Sequence, residues 1–200
     1  MDKDRYEKEK YFIKKAEESF WIDYRIATKN EIINEVVFCL MTPQSSAESA
    51  HRALSSVDFR PEKLTPEILS SSGVRFHNNK HNRIKDFLTY GTKYVFDLIQ
   101  LSENNRAIRN TLRSHIKGFG LKEASHFMRN IGRGDTLAIL DRHIIKCMQE
   151  RNLIESEITL NDKNYRLIEK VFCDYADDIE VPHAHLDMLW WGSKSGKYFK

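Results

Sequence analysis

The residues of this chain best placed to do chemistry are two glycines, a lysine and an aspartate. Ser114-His-Ile-Lys-Gly-Phe-Gly-Leu-Lys122 joins two helical patterns, with Gly118 and Gly120 flanking Phe119. Glycines there permit a tight turn and let backbone N–H groups face outward with no Cβ in the way. These donors stand at the start of the next helix, where the dipole is positive, so the turn can hold a phosphate. A plain helix–helix turn uses the same pattern. Further on, the apolar run Leu137-Ala-Ile-Leu140 ends in Asp141, ahead of a new amphipathic helix. Asp141 reads as the N-cap of that helix. It lies 141 − 122 = 19 residues after Lys122, one helix and a loop, enough to bring both side chains to one cleft. On spacing alone, Lys122 reads as a surface lysine on a phosphate.

Charge separates the classes of partner. The 200 residues carry a net charge of only +3. Residues 75–85 nevertheless hold four basic side chains (Arg75, Lys80, Arg83, Lys85) and no acid. Residues 105–133 hold seven (Arg106, Arg109, Arg113, Lys117, Lys122, Arg129, Arg133) against Glu123 alone. Two strongly basic stretches in a near-neutral chain point to a local polyanion site; a solvated basic face gives the same count.

Other reactive groups argue against several classes. Cys39, Cys147 and Cys173 are far apart and form no Cys-x-x-Cys pair. A disulfide framework, a cysteine zinc site and an iron–sulfur cluster are therefore unsupported, and a reducing cytoplasm is the expected setting. His183 and His185 form an H-x-H without a third ligand, so no metal site is expected. His143 reads as a hydrogen-bonded structural residue. Met1-Asp-Lys-Asp-Arg5 is charged from the outset, unlike a secretory leader. No run approaches ~18 consecutive apolar residues, so no membrane contact is expected.

Helices must position these groups. With 8 Gly and 4 Pro, turn-rich β-structure is disfavoured. A charged amphipathic helix is expected over 3–20, packed on one face. Asn30 is expected to cap a second helix, with Ile32, Ile33, Val36, Val37 and Leu40 as its apolar face. Met41-Thr-Pro-Gln-Ser-Ser46 interrupts it, and Ser46 opens another helix. Loop and short helix follow to Ser72. Further helices are expected over 80–90, 92–101, 104–115, 122–131, 141–152, 162–176 and 183–191. The chain is thus all-α, about ten helices in two lobes.

Ile116-Lys-Gly-Phe-Gly-Leu-Lys122, followed by a helix, a loop and Leu140-Asp-Arg-His143, resembles the helix–hairpin–helix superfamily of DNA glycosylases. Leu121-Lys-Glu-Ala-Ser-His-Phe-Met-Arg-Asn-Ile-Gly132 and the ending Leu186-Asp-Met-Leu-Trp-Trp-Gly-Ser-Lys-Ser-Gly-Lys-Tyr-Phe-Lys200 resemble the archaeal-type (type 2) 8-oxoguanine DNA glycosylase/AP lyases. Val36–Ser46 and Gly73–Lys80 are similar to further superfamily segments, so the resemblance covers most of residues 30–200. It implies one glycosylase unit over 1–200, with the hairpin at about 106–132 and a DNA-binding cleft between two helical lobes.

The resemblance implies that Lys122 attacks the sugar C1′, giving a Schiff base that permits β-elimination. An ordinary lysine is neutral about once in 2,500 at pH 7, so such an amine needs help. A helix N-terminus in a basic stretch disfavours the ammonium. Asp141 opposes this but stabilises the oxocarbenium-like charge of the transition state. The damaged base must leave the stack. Gln44 resembles the position that enters the duplex, while Arg75, Lys80, Arg83, Lys85 and Lys117 read as phosphate contacts beside Gly118 and Gly120.

8-Oxoguanine presents an N7–H donor that guanine lacks, which calls for a facing acceptor. Asp187 and Trp191 share a helical face and could supply an acceptor and a stacking ring, while one of Trp190 and Trp191 is expected in the core. Tyr198 and Phe199 give the tail an apolar surface with which to dock, placing Lys200 and its carboxylate at the base. The expectation is a monomeric, nucleoid-associated cytoplasmic enzyme acting on 8-oxoguanine in duplex DNA. It needs no cofactor, although a monovalent cation could sit at the hairpin carbonyls. The rivals are a non-enzymatic helix–hairpin–helix module and a glycosylase for oxidised pyrimidines.

Overall fold

Side-chain caps set most of the helix boundaries. The computed structural model describes residues 1–101 and 104–199. Among them lie eleven α-helices and no strand: α1 (Asp2–Phe20), α2 (Lys29–Met41), α3 (Ala47–Ser55), α4 (Pro66–Ser71), α5 (His77–Asp86), α6 (Thr92–Ile99), α7 (Asn105–His115), α8 (Leu121–Asn130), α9 (Arg142–Glu150), α10 (Asp162–Asp178) and α11 (His183–Ser195). The all-α expectation holds.

Ser46, Thr65, Asn104, Asp141 and Asn161 each accept a backbone N–H at the start of their helices. The start of α2 differs from expectation. Thr28, not Asn30, is its cap, because Glu31 three residues on closes a reciprocal capping box with it. The helix expected over 80–90 begins earlier, at His77, and passes into a π-turn over Phe87–Gly91 that leads into α6.

Two apolar cores result. The first gathers the inner faces of α2 to α8, from Ile32 and Val36 through Leu69, Ile84 and Leu112 to Phe127 and Ile131. The second gathers α1, α9, α10 and α11, with Ile13, Ile144, Met148, Phe172, Leu186 and Trp190. Each large apolar side chain buried in them contributes about 1.5–3 kcal/mol. Two segments belong to both. In α8, Leu121 joins the second core while Ala124 and Phe127 join the first; in the extended 137–140 segment, Leu137 joins the first and Ala138 and Leu140 the second. Lys122 and Asp141 therefore sit where the two cores meet.

Candidate nucleic-acid and catalytic site

The hairpin is α7, a turn, and α8. Phe119 at its tip is buried, its ring centroid 6.2 Å from that of Phe127, which pins the turn to the first core. The two glycines serve different needs. Gly118 has φ +102, and a Cβ there would come within 2.6 Å of the Arg83 side chain, so α5 can pack across the turn. Gly120 is extended, and a Cβ would meet Glu123 Oε2 at 2.8 Å. That carboxylate oxygen accepts the Gly120 N–H at 3.1 Å. The Gly120 amide is thus already bonded inside the protein rather than presented to a phosphate, which corrects that reading. Lys117 is exposed and pairs with Asp86 at 3.2 Å.

Lys122 lies in the first turn of α8, with 28% of its side chain exposed and Nζ 3.4 Å from Glu123 Oε1. Glu123 holds the turn with one oxygen and the lysine with the other, a role its place as the lone acid of a basic stretch does not reveal. Asp141 caps α9, its Oδ1 accepting the N–H groups of His143 at 2.7 Å and Ile144 at 2.9 Å. A buried frame fixes the approach to Asp141. Glu169 Oε1 pairs with Arg109 and also accepts the Ala138 N–H at 3.1 Å. The Tyr165 hydroxyl donates to the Ala138 carbonyl at 2.7 Å.

Asp187 comes from α11 and is buried against Arg129 of α8. Burial outweighs the pull of Arg129 and, with Asp141 adding to the rise and Lys122 opposing it, leaves the carboxyl raised to about 6. It therefore lies within electrostatic reach of both Lys122 and Asp141, and α8, α9 and α11 bring these groups into one neighbourhood. The reading of Asp187 as an open acceptor for a base is revised, because its carboxylate is already engaged. Arg129 carries the contact onward. Its Nε and Nη2 donate to Asn130 Oδ1 at 3.0 and 2.9 Å, and Asn130 Nδ2 donates to Glu35 Oε1 at 2.6 Å. The chain Asp187–Arg129–Asn130–Glu35 links the two cores.

Of the two tryptophans, Trp190 is in the core and donates to Asp2 Oδ2 at 3.1 Å, while Trp191 is half-buried. The tail docks through its aromatics. Tyr198 lies against Gly192, the Phe199 centroid is 4.7 Å from that of Phe20 and 5.8 Å from that of His51, and Lys197 pairs with Glu48. Lys200 lies outside the described residues. His183 Nδ1 accepts the Thr136 N–H, while its Nε2 meets Asp177. His185 bridges Tyr6 and Glu17. His183 thus ties the start of α11 to the turn at Thr136 and the end of α10, while His185 joins α11 to α1.

The basic stretch 75–85 divides. Arg75 and Lys85 are exposed and Arg83 half-buried across Gly118. Lys80 is not a surface contact. It is 2% exposed, and its Nζ donates to the carbonyls of Met41 and Pro43, both at 2.6 Å, and to Ser45 Oγ at 2.9 Å. Gln44 is exposed at the apex of that turn with φ 54. Phe76, not singled out in the sequence, is 52% exposed with φ 57, a conformation strained for so bulky a residue. The Arg75 N–H donates to Ser45 Oγ at 2.9 Å, which joins the two exposed points.

Comparison with known proteins places these features. Residues 13–181 match the family described as 8-oxoguanine DNA glycosylase. An 8-oxoguanine DNA glycosylase/AP lyase of Fusobacterium nucleatum is 34% identical, covering 86% of this chain and 84% of its own. The crystal structure of the Methanocaldococcus jannaschii 8-oxoguanine DNA glycosylase superposes with a TM-score of 0.86 at 30% identity, covering 99% of this chain and 94% of its own. A crystal structure of the same organism's 8-oxoguanine glycosylase/lyase, in complex with a 15mer DNA containing 8-oxoguanine, gives 0.85 at 29% identity, covering 99% of both chains.

Proposed function

The chain belongs to the 8-oxoguanine DNA glycosylase family, and on that premise we propose that it excises 8-oxoguanine from duplex DNA and then cleaves the abasic site by β-elimination. The observation that carries this reading is the shared neighbourhood of Lys122, Asp141 and Asp187 at the junction of the two cores. The Lys122 amine forms a bond to C1′ as the glycosidic bond breaks, and the bonding pair leaves with the base, which takes up a proton. One proton passes from the amine to the ring oxygen as the C1′–O4′ bond breaks, giving a protonated Schiff base that can accept the electron pair of the next step. Removal of a C2′ proton then expels the 3′ phosphate. Asp141 keeps its cap with Oδ1 and places its charge beside the developing oxocarbenium.

Around this centre, Gln44 and Phe76 meet the duplex where the base leaves it. Arg75, Arg83, Lys85 and Lys117 position the phosphates without reading sequence. Trp191 stacks on the extruded base, and Lys200 recognises its oxidised edge. The protein acts as a monomer without a metal cofactor. Among the described residues no helix is long and apolar enough to cross a membrane.

Borohydride reduction on duplexes carrying 8-oxoguanine or thymine glycol tests the reading. A covalent complex with the first and not the second is expected. Trapping on thymine glycol alone assigns the activity to oxidised pyrimidines. Duplex binding with neither excision nor trapping reduces the protein to a binding module.

A further inference from the structure

Lys80 is the buried cation that the chemistry above leaves unused. An ammonium out of water is costly unless its protons are satisfied. Here all three are, and by one short segment: the Met41 and Pro43 carbonyls and the Ser45 hydroxyl. No carboxylate pairs with it among these contacts. The charged groups around it are Arg75 ahead of α5, Arg83 on α5, and Lys122 and Glu123 on α8; the segment 41–45 contributes none. A methionine would fill the same space without the desolvation cost, so packing alone does not call for a lysine.

The segment it holds is one that the backbone does not fix by itself. Ser45 N–H closes onto the Thr42 carbonyl at 3.0 Å, and inside that turn Gln44 takes φ 54. A left-handed glutamine stores strain and persists only where its surroundings over-determine it. Ser45 Oγ then accepts a second donor, the Arg75 N–H, next to the strained and exposed Phe76.

We propose that Lys80 is a positioning residue for base extrusion: its ammonium gathers residues 41, 43 and 45 onto one point and so aims Gln44, and through Ser45 also Arg75 and Phe76, at the duplex. Three donors are needed for three acceptors, and only the charged amine has three. Burial and the neighbouring cations Arg83, Lys122 and Arg75 bring the Lys80 pKa down to about 8. The pin is thus expected to weaken as pH rises through about 8. The proposal rests on the reading of Gln44 as the residue that meets the DNA.

The test uses duplexes with 2-aminopurine beside 8-oxoguanine, which brightens as the stack opens, and duplexes with a preformed abasic site, where no base has to be extruded. Wild type, Gln44→Ala, Lys80→Met and the double variant are compared in single turnover. Lys80→Met is expected to slow extrusion and 8-oxoguanine excision by about ten- to hundredfold, as misplacement of a positioned group does. Cleavage at the abasic site stays near wild type. In the Gln44→Ala background the second substitution costs less than it does in wild type, since the two share one turn and only the Arg75 and Phe76 part remains to be lost.

The wild-type protein supplies a second arm that needs no variant: the extrusion signal falls as pH rises through about 8. Should Lys80→Met fail to fold, Ser45→Ala takes its place: it removes one acceptor of the Lys80 ammonium together with the contact to the Arg75 N–H, and normal extrusion by that variant overturns the proposal. Equal losses on both substrates, or full additivity with Gln44→Ala, make Lys80 a stability residue and also overturn it. A silent Lys80→Met beside an impaired Gln44→Ala sinks the Lys80 role alone; a silent Gln44→Ala sinks it together with the reading of Gln44.

Discussion

Replacing Asp187 with asparagine separates two opposing forces on one buried carboxylate. Burial raises its affinity for a proton, and Arg129 lowers it. If burial wins, the folded protein keeps this proton up to about pH 6, whereas the ordinary value is 3.8. Between those limits the folded state binds more protons than the unfolded chain, so stability from this group falls as pH rises and levels off above the window. The gap is about two pH units, and each is worth about 1.4 kcal/mol, giving a decline on the order of 2–3 kcal/mol. The asparagine side chain of the variant carries no titrating proton.

Urea unfolding of wild type and Asp187→Asn, at steps from pH 4 to pH 7.5, isolates the effect. The carboxylates whose pKa is lowered, such as Asp2, Glu31 and Glu48, contribute to both proteins and cancel in the difference. The stability advantage of wild type over variant is expected to shrink by that 2–3 kcal/mol on going up in pH. An advantage that grows with pH would mean that Arg129 outweighs burial, and would refute the reasoning.

Two substitutions test the rest of the site. Asp141→Asn keeps an oxygen for the His143 and Ile144 amides, so unfolding free energy is expected within about 1 kcal/mol of wild type, while single-turnover excision drops roughly hundredfold or more; normal excision by the folded variant would leave Asp141 a cap and nothing else. Arg75→Ala is expected to weaken binding to damaged and undamaged duplexes alike and to flatten the dependence of log K on log salt by about one unit, and an unchanged slope would place Arg75 off the duplex.

Much of the fold was legible because its signals are local. Ser46 and Asp141 announce the helices they cap, and Gly118 and Gly120 announce the hairpin. Thr28 and Glu31, spaced as a capping box, carry a local signal for the start of α2 that outweighs Asn30. Lys80 reads from sequence as a surface cation because a charge run counts cations without asking which way they face. Its spacing to Ile84 and Phe87 continues a buried stripe, and that periodicity marks it as inward. The apolar neighbours of Asp187, Leu186 and Met188 to Trp190, likewise mark a buried carboxylate. What no local pattern gives is the partner: Arg129 lies 58 residues away and reaches Asp187 only once both cores are assembled. The contacts of Asp2 with Arg151, Tyr175 and Trp190 are of the same long-range kind.

The nucleophile itself can be caught. With a duplex carrying 8-oxoguanine and borohydride in the reaction, wild type should yield a covalent protein–DNA complex whose proteolytic fragments carry the sugar remnant on Lys122. Lys122→Gln should yield none while still binding the damaged duplex with nearly wild-type affinity. A covalent complex that persists in Lys122→Gln, or a remnant mapped to any other lysine, would place the chemistry elsewhere.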